Sequence, residues 1–271
     1  MHGRAPRPRD APRAPCYPPA VHATAGPVLE LSDVALAVPA GGSVRRILDV
    51  ESLRLAPGER LSLVGRSGSG KSTLLRLCNR LLEPTAGTIR FRGRELAAYD
   101  PGPLRRSVGL VPQEPIWLPG DARSNLVAAR DLGLVEEEAV EERLAGAMEL
   151  AGIDADWMGR GEDQLSLGQR QRIALGRVLF NRPEVVLLDE PSSALDPPAA
   201  RALIQQLRRL GEQGRIAMIM VTHRLDDARR FGTRTAVLES GRIVADGPTA
   251  EVLDGLETRW DGEAREVGGA S

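Results

Sequence analysis

Apolar positions along the chain change their spacing twice. Up to residue 111 they fall in short strand-like runs: 28–31, 34–38, 44–55 after the Gly41-Gly42 turn, 60–64, 88–91 and 108–111. One stretch within that half, 72–82, carries apolar residues at helical spacing instead. From about 114 to 181 helical periodicity takes over, and 122–132, 135–151 and 168–180 read as amphipathic helices separated by Gly- and Asp-containing turns. After it, strands 185–188, 216–221 and 235–238 alternate with helices 197–210 and 226–231, the pattern of βαβ units and a largely parallel sheet. A short helix, 249–256, leads to a polar tail, 257–271. The organisation expected is an α/β core over 27–113 and 182–256, with a helical subdomain of about 114–181 inserted into it. Residues 1–26 are rich in Pro, Ala and Arg without an apolar h-region, and read as a disordered tail rather than a signal peptide.

The junction between the run 60–64 and the helix 72–82 carries Gly65, Arg66, Ser67, Gly68, Ser69, Gly70, Lys71, Ser72 and Thr73. Gly65, Gly70, Lys71 and Ser72 occupy the fixed places of G-x-x-x-x-G-K-[ST], and the strand before and helix after supply the context of a phosphate-binding loop. Glycines let backbone N–H groups turn inward, and the helix N-terminus adds partial positive charge at the same place. Lys71 is expected to reach the β- and γ-phosphates of a nucleotide, and Ser72 to hold Mg²⁺. Lys71 is also the only lysine in the chain, every other basic side chain being arginine. It stands where a slim point charge is needed and a planar fork would not fit.

Composition narrows the partners. With 271 residues the chain has length for a substantial core, and its net charge of −1 gives no global field for nucleic acid or an anionic membrane. Aromatics make up only 3%, too few for base-stacking platforms, so no nucleic-acid partner is expected. Two cysteines, Cys16 and Cys78, make no disulfide framework, and Cys78 reads as a small core residue of a cytosolic chain. No apolar run approaches the roughly 18 residues that a membrane helix needs. A membrane role would therefore come through a partner.

Three further groups carry chemistry. The apolar run 185–188 ends in Asp189 and Glu190, placed where an α/β sheet holds its ligands. Asp189 suits Mg²⁺, and Glu190 suits a general base that polarises water against the γ-phosphate. Leu165, Ser166, Leu167, Gly168 and Gln169 open the helix 168–180, where Ser166 and the Gly168 backbone would present donors to an anion. Such a second anion site makes sense if another subunit supplies the nucleotide. His223 is the only histidine outside the tail and follows strand 216–221, on the sheet edge of Asp189.

The phosphate loop, 165–169, Asp189-Glu190, 193–196 and Thr222-His223 follow one another as they do in ABC-type ATPases, and the chain resembles an ATP-binding subunit of an ABC transporter over roughly residues 28–253. The resemblance implies a P-loop NTPase core, RecA-like, with a mixed sheet, flanking helices, an antiparallel β subdomain and the helical insertion. By position Gln113 resembles the glutamine that touches Mg²⁺ or the attacking water, 193–196 the loop that contacts a second subunit, and His223 the histidine that contacts the γ-phosphate. Ser166, Gly168 and Gln169 would complete a partner's ATP site. Two positions depart from the family: Leu167 stands where glycine is usual, and Val38 where an aromatic ring usually stacks on adenine. Arg45 and Arg46, or Tyr17, are the candidates to replace that ring.

What the resemblance implies is a Mg²⁺-dependent ATPase whose paired subunits close on two ATP molecules and energise a separate transmembrane permease. The chain would then lie in the cytoplasm, peripheral on the inner face of the membrane. Segments 112–120 and 159–164 resemble exporter-type ATPases more than importers, so export is the expected direction. Trp117 and its apolar neighbours are candidates for a permease contact. An ABC ATPase of translation or DNA repair, and a nucleotide-binding module without turnover, are the alternatives. Paired cassettes, coiled-coil insertions or zinc cysteines would favour the former, and loss of Glu190 or His223 the latter.

Overall fold

The computed structural model describes residues 26–41 and 43–268. The tail expected up to residue 26 falls, but for Gly26, outside the described residues, as do Cys16, Tyr17 and Gly42. In chain order the first half forms β1 (Leu29–Ala40), β2 (Ser43–Leu55), β3 (Arg60–Val64), α1 (Lys71–Cys78), β4 (Ala86–Phe91), β5 (Arg94–Glu95), α2 (Pro101–Ser107) and β6 (Val108–Val111). The helical insertion contains α3 (Ala122–Leu126), α4 (Ala128–Asp131), α5 (Val140–Ala151) and α6 (Leu167–Phe180). The chain then returns through β7 (Val185–Asp189), α7 (Pro197–Glu212), β8 (Ala217–Thr222), α8 (Leu225–Phe231), β9 (Arg234–Glu239), β10 (Arg242–Pro248) and α9 (Thr249–Gly268).

Two sheets result. One is antiparallel, in the order β2-β1-β4-β5; the other runs β10-β9-β3-β8-β7-β6 and is parallel except for the edge strand β10. Period-2 alternation gives the strands of the second sheet two apolar faces. Val185 and Leu187 of β7 join Ile219 of β8, Leu74 of α1 and Leu48 of the antiparallel sheet in one core. Val186 and Leu188 face the other way, into a cluster with Met220, Leu203 of α7, Leu144 of α5 and Ile173 of α6. The helical insertion therefore shares its core with the main sheet. The α/β architecture with a mixed sheet, an antiparallel sheet and inserted helices is the one expected.

Several boundaries differ, for local reasons. The runs 28–31 and 34–38 are one strand: pairing with β2 continues through Ser32↔Ser52 and Val34↔Val50, while Asp33 takes φ 51°. Gly87 packs on that kink, where a Cβ would stand 2.1 Å from the Asp33 carbonyl oxygen. The helix expected over 122–132 breaks at Val127, and that expected from 135 begins only at Val140. Helix α2 was hidden by Pro101 and Pro103, although proline at the first helical position is compatible with a helix. The C-terminal helix does not stop at 256: α9 continues to Gly268, across most of the segment expected as a polar tail.

Candidate nucleotide site

The phosphate loop leaves β3 in the middle of the main sheet, where Val64 pairs with Thr222 of β8 and Val237 of β9. Gly65 passes so close to β9 that a Cβ would lie 2.2 Å from the Leu238 carbonyl oxygen. Gly70 caps α1 at φ 105°, a left-handed conformation that no side chain favours. The first N–H groups of α1, through Thr73, lie in the turn that has no intrahelical acceptors. Arg66, Ser67 and Gly68 form the exposed tip of the loop. Lys71 is only 5% exposed and curls back, its Nζ donating to the carbonyls of Gly65 (2.8 Å) and Arg66 (3.0 Å). Burial pulls its ammonium below the usual lysine range, while Glu190 and Asp189 act to hold it up. Ser69 Oγ is buried with no hydrogen-bond partner among the described residues.

Asp189 ends β7 and Glu190 follows it directly. Ser72 Oγ donates to Asp189 Oδ1 at 2.8 Å, so two oxygens expected to hold Mg²⁺ are adjacent. Burial raises the Asp189 carboxyl above its ordinary value, opposed by the Ser72 hydrogen bond and by Arg76. Mg²⁺ binds through one or two protein oxygens and completes its octahedron with phosphate and water, which this donor pair fits. Glu190 takes φ 46°, outside the strand conformation. A non-glycine residue held there costs on the order of 1 kcal/mol, and its neighbours must enforce it. Its N–H donates to the Val221 carbonyl at 3.0 Å, and its own carbonyl accepts from Ser193 N (3.1 Å) and Ser193 Oγ (3.0 Å). Its carboxylate Oε2 lies 2.9 Å from His223 Nδ1. Gln113 Nε2 donates to Ser193 Oγ at 3.4 Å, so it joins this group through Ser193, with no bond to the Ser72–Asp189 pair among the described residues.

Ser166, Gly168 and Gln169 stand apart from these groups. Ser166 Oγ accepts from Gln169 N (3.2 Å) and Gln169 Oε1 from Ser166 N (2.8 Å), a reciprocal cap that starts α6. A Cβ at Gly168 would stand 3.7 Å from Leu195 and 3.8 Å from Ala199 of the same chain. Val38 is 36% exposed and lies directly opposite Arg45 across β1 and β2. Directly paired residues project from the same face. Arg46 pairs with Ala37 instead and is engaged with Asp49 at 3.0 Å, which leaves Arg45 as the guanidinium beside Val38.

Two features escaped the sequence. The β9–β10 turn lies over the loop: Gly241 N donates to the Ser69 carbonyl at 3.0 Å, and Glu239 and Ser240 line a cleft of about 240 Å³ with residues 66–69. Its signal was Ser240-Gly241 between two β-branched runs, where both residues take positive φ as a two-residue hairpin requires. The second is the anchoring of the segment after Gln113. Arg177 Nη2 donates to the Ile116 carbonyl at 2.6 Å, and buried Asn125 bonds both N–H and C=O of Leu118. Trp117 packs against the helical core, whereas Ile116 is 63% exposed and Leu118 37%.

The family model for ABC transporters matches residues 48–193. The methionine import ATP-binding protein MetN of Cupriavidus necator is 35% identical, over 83% of this chain and 67% of its own length. The ABC-type transmembrane transporter verA of Clonostachys rogersoniana is 36% identical over 85% of this chain, which spans 18% of it. Among solved structures, a dimeric post-hydrolysis state of the ATP-binding cassette MJ0796 with ADP and Pi superposes with a TM-score of 0.72. It is 29% identical, and the match covers 82% of this chain and 98% of that one. The expected lean to export is not supported: the MetN relatives from Cupriavidus and Brucella are named as import proteins. Motifs, fold and family match agree: this chain belongs to the ABC transporter family, as an ATP-binding subunit with the fold of its ATPase cassettes.

Proposed function

We propose that ATP hydrolysis occurs at the edge of the main sheet where Lys71, Ser72, Asp189, Glu190 and His223 converge. The observation that carries this is the 2.9 Å contact of Glu190 with His223, beside the Ser72–Asp189 hydrogen bond. Lys71 exchanges the carbonyls of Gly65 and Arg66 for β- and γ-phosphate oxygens, and the loop N–H groups hold the remaining charge. Ser72 and Asp189 hold Mg²⁺, which when bound neutralises charge on the phosphates. Glu190 takes a proton from the attacking water as the water oxygen bonds the γ-phosphorus and the bond to the β-phosphate oxygen breaks, leaving ADP and phosphate. His223 orients that carboxylate and faces the γ-phosphate, and Gln113 joins through Ser193 when the site closes.

Ser166, Gly168 and Gln169 serve the ATP of a second copy, so that two chains enclose two nucleotides. The MJ0796 cassette, described as dimeric, supports this arrangement. The dimer drives a separate transmembrane permease at the inner face of the membrane, with exposed Ile116 and Leu118 as its docking contact. No helix among the described residues is long and apolar enough to cross a membrane. The relatives' names support import, with methionine the first cargo to test.

The test is phosphate release from ATP and Mg²⁺ by the wild-type chain, Lys71→Ala and Glu190→Gln. Release that depends on both residues is expected; release unaffected by either change would overturn the assignment.

A further inference from the structure

Helix α8 follows His223 directly and buries three residues against the sheet: Asp227, Ala228 and Phe231. Two are apolar, as a core face requires. The third is a carboxylate only 3% exposed, a group that is expensive to bury unless its partners are fixed. Its partner is equally buried: Ser192, 1% exposed, donates its hydroxyl to Asp227 Oδ2 at 2.5 Å. Arg224 closes the arrangement, with Nε 3.6 Å from the same carboxylate oxygen and Nη1 donating to the Ser192 carbonyl at 3.5 Å.

The positions of these residues decide what the contact does. Ser192 is two residues beyond Glu190, in the turn that Glu190 enters at φ 46°. Asp227 is four residues beyond His223. The other bonds that hold the Glu190 backbone come from Ser193, within the same turn, and from the Val221 carbonyl of the neighbouring strand. The Ser192–Asp227 bond instead joins that turn to a buried side chain of α8, beside the Glu190–His223 contact and the Arg224–Ser192 bond. A strained conformation persists where surrounding structure over-determines it, and charged hydrogen bonds are the strongest available for the purpose. We infer that Asp227 is a positioning residue for hydrolysis: through Ser192 it locks the strained turn bearing Glu190 to the helix that follows His223. This rests on the reading of Glu190 and His223 given above. The competing role for Asp227, a negative charge in the first turn of α8, is shared by exposed Asp226, which touches neither Ser192 nor Glu190 in any bond described.

The experiment measures kcat and KM for ATP with Mg²⁺, and thermal melting, on the full chain and four variants: Ser192→Ala, Asp227→Asn, the double variant, and Asp226→Asn as control. Ser192→Ala and Asp227→Asn should each lower kcat about tenfold, short of the 10²-fold that a misplacement of a full ångström can cause. KM should stay within twofold, and Asp226→Asn should match wild type. Because the two side chains act as one unit, the double variant should be no slower than the slower single. A folded Ser192→Ala variant with kcat within twofold of wild type overturns the inference, as does a double variant whose losses multiply. Should Asp227→Asn melt before assay, Ser192→Ala decides alone. Wild-type turnover in Glu190→Gln would overturn the underlying reading instead, so the two failures are told apart.

Discussion

His223 Nδ1 stands 2.9 Å from Glu190 Oε2, although 33 positions separate the two residues. The contact follows from the register of two parallel strands. Asp189 of β7 pairs with Val221 of β8, so the residues just past each strand emerge at one edge of the sheet. The Glu190 N–H bonds the Val221 carbonyl, which turns its side chain toward His223. With its proton on Nδ1, the imidazole donates to the carboxylate.

Glu190→Gln should keep ATP binding and lose most turnover, since an amide cannot take up the proton. Removal of a general base typically lowers the rate on the order of 10²–10⁴-fold. The ATP-bound form should accumulate as a dimer closed through Ser166 and Gly168, read by sizing with ATP and Mg²⁺. A strict monomer at high concentration would contradict it.

Lys71→Ala should lose ATP binding, because the side-chain cation of the loop is removed. Lys71→Arg should lose it too. The ammonium occupies a buried place bounded by the Gly65 and Arg66 carbonyls, which a planar guanidinium does not fit. Titration with a fluorescent ATP analogue checks both, and wild-type affinity in either variant would count against the loop geometry.

Asp189→Asn should raise the melting temperature without nucleotide while abolishing Mg²⁺-dependent hydrolysis. Burial raises the Asp189 carboxyl in the folded chain, so its ionised form disfavours folding. That penalty is full above the folded-state pKa and vanishes as pH falls below the ordinary aspartate value of 3.8. The stability gain of the variant should therefore be largest at neutral pH and shrink on acidification. Melting curves from pH 7 down to pH 4 measure it; a gain that grows at low pH would refute the assignment.

Base selectivity should be weak. A base stacked on an aromatic ring gains roughly 1–3 kcal/mol, and Val38 offers no ring. GTP should be hydrolysed within about tenfold of ATP, about 1.4 kcal/mol. Val38→Tyr should tighten ATP with little change in maximal rate, as uniform binding does. Since Arg45 lies opposite Val38 and Arg46 is held by Asp49, Arg45→Ala should weaken ATP more than Arg46→Ala. Competition between ATP and GTP in these variants is the measurement, and strong ATP preference in all of them would place the base elsewhere.

Much of the candidate site is legible in the sequence, because its parts are local. A loop that must turn N–H groups inward between a strand and a helix needs glycines at fixed spacing, and residues 65–73 carry them contiguously. The apolar runs of β3, β6, β7 and β9 stand out likewise, since burial on both faces leaves no polar alternation to confuse. Other features depended on segments distant in the chain. Strand β1 is continuous because β2 pairs across the Asp33 kink, a support invisible in residues 28–38 alone. That Arg45 rather than Arg46 flanks Val38 follows from a one-residue register shift after Leu36, which reverses the face of every side chain beyond it. Local sequence was enough to nominate residues for phosphate, metal and a proton. Strand order and register, which depend on pairing between distant segments, decided that Glu190 meets His223, that Gln113 arrives through Ser193, and that Asp227 reaches Ser192.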